Sequence, residues 1–304
     1  MIFNAVRLTV GDLILEGLRV EFDISATIGS YDKAVLKVHN MKEASYNALR
    51  YDALAIVEVL GESGWEQLYA GNFRLRQRKA ENGGTVTTLN LFSSLLTYKD
   101  KISISMAEGS AGSDVIALFK SLMPTLDFVI SDKAQAIIDE LEYKGGYSTQ
   151  VKPTNQLLID FIKHEVGDEY TPHITSTKVS IGESNKSPIE VNQRTGMIGT
   201  PDFFKKVERG QREKDGEQAE ASFAGKAVIR LKPSLDLYDK IDIQSKYLSI
   251  LNEQLFSKGE ALTQKQYESV TTPGSGIYQV YKINHQGDTH GDIWQTKIDF
   301  RESL

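Results

Sequence analysis

The stretch LRVEFDISATI, residues 18–28, limits the chain most. Leu18, Val20, Phe22 and Ile24 alternate with Arg19, Glu21, Asp23 and Ser25. A period of two puts the apolar set on one face of a strand and the polar set on the other. KAVLKVHN and ALAIVEVL are two further candidate strands, and MKEASYNALRYD between them suits a short helix. NFRLRQRKAENGGTVTTLNLF reads as a β-hairpin, with Asn82, Gly83 and Gly84 supplying the positive-φ residues of a tight turn. Plain alternation puts Phe73 and Leu75 on one face of its first arm and Arg74, Arg76 and Arg78 on the other.

The pattern changes after about Tyr98. GSDVIALFKSLM carries Val115, Leu118, Phe119 and Leu122 at helical spacing, with Ser113 or Asp114 as the expected cap. SDKAQAIIDELEY is a second candidate helix. KPTNQLLIDFIKHEVG is a third, with Leu157, Leu158, Phe161 and Ile162 on one stripe and Gly167 as its stop. YTPHITSTKVSIGE returns to strand. From about Pro188 the chain is again strand-like. SPIEVNQRTGMIGTPDFFKKV holds a turn around Gly196 and an extended piece with Gly199 and Pro201. Residues 205–220 hold ten charged residues of sixteen, which predicts an exposed loop. FAGKAVIRLKPSLDLYDKIDIQS reads as strand, turn, strand. A polar, partly helical insertion is expected at about 247–270. A closing hairpin has expected arms of Ile277–His285 and Ile293–Phe300.

The expected fold class is α+β, mostly β: a first β domain (1–98), a small mixed α/β domain (99–185) and a second β domain (186–304). No apolar run reaches the roughly 18 residues of a membrane helix. The N-terminus lacks the basic start and cleavage site of a signal peptide, so a chain made in the cytoplasm without a membrane anchor is expected. Zero cysteines remove disulfides, thiol nucleophiles and cysteine zinc sites from consideration. A net charge of -6 argues against tight nucleic-acid binding over the whole surface and leaves a local basic stripe open.

Several short motifs invite a catalytic reading. GDTHG, residues 287–291, looks like a metal motif of phosphate-ester hydrolases. Such sites need further asparagine and histidine ligands downstream. Only thirteen residues follow Gly291, and none is Asn or His. A simpler metal site from His285, Asp288, His290 and Asp292 would draw all its ligands from one loop. KHEVG lacks the second histidine of a zinc-protease helix, which leaves His164 on a helix surface. His39 and His173 fit solvation or a core hydrogen bond. GSAGSD, Gly109–Asp114, precedes a helix without the lysine of a phosphate loop, and a flexible linker is expected there. No GxSxG elbow occurs. The bland reading of Gly287, Asp288 and His290 is a structural hairpin loop. The arginine stripe has three open readings: a solvated strand face, salt bridges to a neighbouring subunit, or a nucleic-acid surface.

The order of the segments adds a resemblance. LRVEFDISATIGSYDKAVLKVHN followed by AIVEVLGESGWEQLYAGNFRLRQRKAENGGTVTTLNLF is similar to the first tube domain of the baseplate hub proteins of bacteriophage tails, especially contractile ones. IGTPDFF and AVIRLKPSLDLYDKIDIQS resemble the second tube domain of that family, and GIYQVYKINHQGDTHGDIWQTKI resembles its closing hairpin. The insertion at about 247–270 departs from the family's shorter connection. The resemblance implies two tube-type antiparallel β-barrel or sandwich domains flanking the mixed domain. It implies a homotrimer that joins a sixfold tail tube protein to a threefold central spike protein. Other baseplate proteins surround it, and DNA passes through its lumen at ejection. It places the protein in the virion tail baseplate, assembled in the host cytoplasm. It implies no enzyme activity, no cofactor and no metal. Arg74, Arg76 and Arg78 become candidates for a subunit interface or lumen, and Asn82, Gly83, Gly84, Gly196, Gly199, Pro201, Gly287, Asp288 and His290 become turn and loop positions. A related spike-base module of a contractile secretion or bacteriocin system, and a metal-dependent phosphoesterase, are the alternatives.

Overall fold

The computed structural model describes residues 4–30, 32–61, 63–81, 83–93, 100–206, 222–244, 249–250 and 275–302. Asn82 and most of the expected charged loop and insertion lie outside these residues.

The first section forms β1 (Val6–Val10), β2 (Leu13–Leu15), β3 (Val20–Thr27), β4 (Lys33–His39), the short helix α1 (Glu43–Ala48), β5 (Leu54–Gly61), β6 (Gly64–Glu81) and β7 (Gly84–Phe92). The middle section holds α2 (Gly112–Leu122), β8 (Asp127–Ile130), α3 (Asp132–Glu140), α4 (Thr154–Phe161), β9 (His173–Ile174) and β10 (Lys178–Ile181). The last section supplies β11 (Ile189–Val191), β12 (Met197–Lys206), β13 (Ser222–Arg230), β14 (Lys240–Gln244), β15 (Ser249–Ile250), β16 (Ser275–Asp288) and β17 (Trp294–Glu302). The protein is mostly β.

The first and last sections meet in one 14-stranded sheet, mainly antiparallel. Its order is β2-β1-β5-β6-β7-β4-β3-β16-β17-β13-β12-β15, with β14 pairing to β16 and to β11. The joint is the β3–β16 ladder, in which Thr27 to Glu21 face Lys282 to Asp288. Along the same border of β16, Ser275 to Gln279 pair with Gln244 to Lys240 of β14. One strand therefore serves both halves. It switches partner at Tyr281, where the β16–β17 register slips and the Tyr281 carbonyl accepts the Ile28 N–H at 3.1 Å. A one-residue bulge of this kind re-aims everything beyond it.

Alternation builds the cores. Val20, Phe22 and Ile24 are buried together with Leu36, Val38, Leu89 and Leu91 in the first apolar cluster. Tyr278, Val280, Ile298 and Phe300 anchor another around Phe203, Tyr238 and Ile241. Ala26 and Ile28 from the first section pack on this second cluster, and Leu231 and Trp294 from the last section pack on the first. The middle section closes its own cluster from Val115, Phe119, Ile138, Leu158, Phe161 and Val179. At the start of α3 the Ser131 Oγ accepts the Ala134 N–H. The cap of α2 differs from expectation. Ala111 occupies the N-cap, and the Asp114 carboxylate reaches back to its N–H at 2.9 Å. The expected flexible linker there is also corrected: Ser110 and Ala111 pair with Tyr143 and Glu142. The α4 helix passes into a π-helical turn, Ile162–Val166, that stops at Gly167 as expected.

The closing hairpin is longer than alternation suggested, because the ladder to β3 continues through Gly287 and Asp288. Gly287 lies between Phe22 on β3 and Trp294 on β17. Without a side chain there, the two rings meet edge to face, 5.3 Å apart. A Cβ on Gly287 would sit 2.4 Å from the Phe22 ring and 2.7 Å from Trp294. Gly287→Ala is expected to destabilise the protein by about 1–3 kcal/mol, the usual range for overpacking. Urea unfolding of both proteins checks this; an unchanged midpoint would mean the rings part freely.

Candidate functional site: the hairpin tip, the arginine stripe and the three-way junction

The hairpin tip is held by charge and backbone. Arg19 Nη2 lies 2.8 Å from Asp288 Oδ2, and Asp288 Oδ1 accepts the His290 N–H at 2.9 Å. Burial would raise the Asp288 carboxyl, but Arg19 and the His290 N–H hold it below the usual carboxylate range. Thr289 Oγ1 accepts the Val20 N–H at 3.0 Å. Asp288 and Gly287 thus end a strand, and His290 sits in the turn, exposed beside Thr289. Asp288 is committed to Arg19. His285 lies in the strand with Nδ1 at 2.9 Å from Thr296 Oγ1, away from the tip. The four residues of the simple metal reading do not converge, and no group of three or more His, Cys, Asp or Glu suited to a metal occurs among the described residues.

The arginine stripe requires a correction of facing. The β6–β7 register slips between Phe73 and Leu75, so Arg74 is an extra residue on β6. Beyond it Arg76 pairs with the buried Leu89 and Arg78 with the buried Thr87, which are on the Phe73 side. Leu75 takes the other face and is 55% exposed. The arginines are then gathered by α1 and its flanks. Arg76 stacks on Tyr46 at 4.4 Å and donates to the Tyr46 carbonyl. Arg78 donates to the Met41 carbonyl at 2.8 Å and pairs with Glu43. Arg74 pairs with Asp52. These contacts satisfy the carbonyls around a helix too short to satisfy its own ends.

The remaining turn residues fall as follows. Gly83 has φ 78° in the β6–β7 turn, and Gly84 pairs with Glu81. Gly196 follows β11 and accepts the Arg230 N–H at 2.8 Å. Gly199 and Pro201 lie in the irregular stretch of β12 between Ile198 and Asp202, where a residue without an N–H is tolerated.

The third place has no sequence motif. Asp32 precedes β4 and is 5% exposed; His173 of the middle section is also 5% exposed. His173 Nε2 lies 2.9 and 3.0 Å from the two Asp32 carboxylate oxygens. The Tyr69 hydroxyl donates to the Asp32 carbonyl at 3.2 Å. Beside this pair is a cavity of about 210 Å³ whose lining comes from all three sections, among them Gln67, Thr175, Ser234, Asp236 and His285. Of the two expectations for His173, solvation or a core hydrogen bond, the structure shows the second. Asp32, 141 residues away in the chain, carried no signal that it would be the partner.

No protein-family model and no curated protein sequence matches the chain. Solved structures do. The tail protein from Neisseria meningitidis MC58 superposes with a TM-score of 0.60 at 10% identity, over 99% of this chain and 97% of that one. The 43 kDa tail protein of prophage MuSo2 from Shewanella oneidensis gives 0.58 at 9%, over 98% of each chain. An E. coli component of the type VI secretion system, described as similar to T4 bacteriophage tail proteins gp27 and gp5, gives 0.53 at 6%, over 98% of this chain and 76% of that one. The chain therefore has the fold of phage tail proteins. Among the described residues no helix is long and apolar enough to cross a membrane.

His285 carries a pH prediction. Burial pushes its imidazole down to about 4, partly offset by Asp236. A depressed histidine favours the neutral form in the folded state. Its contribution is complete above the unfolded value near 6.5 and is lost as pH falls from there towards 4. At about 1.4 kcal/mol per unit, wild type should lose about 3 kcal/mol across this window through His285 alone. Urea midpoints measured from pH 7 to pH 4 should fall less steeply for His285→Gln than for wild type. Parallel slopes would show that His285 does not carry the effect.

Proposed function

We propose that this protein is a tail baseplate hub subunit, a non-enzymatic structural component that forms a trimeric ring between a sixfold tail tube and a threefold central spike. The observation that carries the reading is the superposition on two phage tail proteins along nearly the whole of each chain. The segment order of the closing hairpin and the IGTP strand supports it. On this reading the two β sections are tube-type domains. A trimer of two-domain subunits presents six similar domains to the tube and three equivalent positions to the spike, which is how a closed ring reconciles the two symmetries. The free borders of the sheet then pair with sister copies, which hides edges prone to stray association. The partners on this reading are the tube protein, the spike protein and neighbouring baseplate proteins, with DNA passing through the lumen. The net charge of -6 suits a channel from which DNA must slide free.

The likeness to a type VI secretion component favours a second reading, a spike-base module of a contractile secretion system. The two share architecture and differ in what binds below the ring.

Light scattering of the purified protein, alone and mixed with a candidate spike partner, is expected to give a mass near three times 33.9 kDa, and negative-stain images a three- or six-lobed ring. A strict monomer under every condition, with no ring in the presence of tube or spike protein, would sink the proposal.

A further inference from the structure

The middle section is attached differently from the rest of the molecule. The first and last β sections share a backbone ladder and exchange apolar side chains. Among the described residues, no apolar residue of the middle section belongs to or packs on either of their clusters, and none of theirs packs on its own cluster. Instead it is tied by polar groups. His173 meets Asp32, and Ser176 Oγ donates to the Ala70 carbonyl at 3.0 Å. The Tyr238 hydroxyl donates to the Thr171 carbonyl. Lys178 lies 2.6 Å from Asp236, and Lys240 lies 3.0 Å from Glu183. Between the sections lies the cavity of about 210 Å³, whose mixed lining sets Gln67, Thr175, Ser234 and Asp236 beside apolar residues such as Ile24 and Leu235, with enough polar groups to hold water.

We propose that the middle section is a hinged arm on a rigid β body, held closed by the Asp32–His173 pair. Polar, hydrated boundaries between units permit relative motion, whereas a shared apolar core resists it. Of the ties between two side chains, the Asp32–His173 pair is the one with both partners almost wholly buried; Tyr238, also buried, reaches only a main-chain carbonyl. Lys178–Asp236 and Lys240–Glu183 have partly exposed partners and are screened by solvent. Removing one member of a buried hydrogen-bonded pair leaves the other without its partner, which favours opening. Opening needs no sheet hydrogen bond to break, so the β body stays intact. The inference stands independently of the assembly reading.

The chain has no cysteine, so two can be introduced as unique label sites. Lys120→Cys on α2 and Gln77→Cys on β6 are both at exposed positions. With spin labels at these sites in the full chain, wild type is expected to give one narrow distance distribution. His173→Ala should broaden it. Amide exchange near Thr171–Ile181 should speed up roughly tenfold to a hundredfold, while amides of the β3–β16 ladder keep their protection. Asp32→Asn, which keeps the shape and a hydrogen-bonding group, should act in the same direction and serves if His173→Ala does not fold. A distribution that stays narrow in both variants overturns the latch. So does exchange that rises equally in the ladder, since the pair would then support the whole fold rather than one hinge.

Discussion

The backbone ladder between β3 and β16 joins residues about 260 positions apart, and the rest of the structure is arranged around it. Without it, β3 would be an edge strand with an unpaired row of N–H and C=O groups, and so would the second half of β16. With it, two apolar clusters lie along one sheet and lend each other side chains at the joint. The Phe22–Trp294 contact across Gly287 and the Arg19–Asp288 pair then fasten its far end. The GDTHG sequence is therefore read best as the end of a seam. Its glycine yields space to two rings, its aspartate is spent on an arginine, and its histidine turns the chain.

Single-residue irregularities decide which way side chains point. One extra residue enters a strand at Leu68, Arg74 and Tyr281, whereas two enter β12 around Gly199–Pro201 and leave its facing unchanged. A shift of one residue exchanges the two faces of a strand for everything beyond it. At Arg74 this turns a stripe that alternation would give to solvent toward α1, where Tyr46 and main-chain carbonyls receive it. At Tyr281 it coincides with the change of partner from β14 to β3.

The sequence was legible where order is local. Alternation marked β3, the segments KAVLKVHN and ALAIVEVL marked β4 and β5, and Gly167 marked a helix stop, while β1 and β2 were not foreseen. Gly83 took the positive φ that the hairpin rule asks for, whereas Gly84, expected to share it, belongs to the returning strand. What was not legible depends on contacts made far along the chain. A bulge has no composition of its own, so Arg76 and Arg78 were assigned the wrong side of Phe73. The hairpin arms were drawn short because Gly287 and Asp288 are turn-type residues, and only the ladder to β3 keeps them in a strand. Asp32 resembles any carboxylate in a loop until His173 arrives 141 residues later.

Inserting a unit between two halves of one sheet sets a condition on its ends: both must leave from where the halves meet. The structure satisfies it at the junction. Ser93, the last described residue before the middle section, donates its N–H to the Asp32 carbonyl at 3.0 Å, and its hydroxyl accepts the Asp32 N–H at 3.1 Å. Ser184, at the return, donates to the Tyr238 carbonyl at 3.0 Å. Tyr238 in turn donates its N–H to Val280 on the seam strand at 2.9 Å, while its side chain reaches Thr171. Both connections and the buried pair thus share one small region. Motion of the middle section about that region would displace its far side most and the sheet least. A fold that had to keep its sheet continuous while carrying a separate unit has reason to join the two through polar atoms, because an apolar joint would have merged the cores.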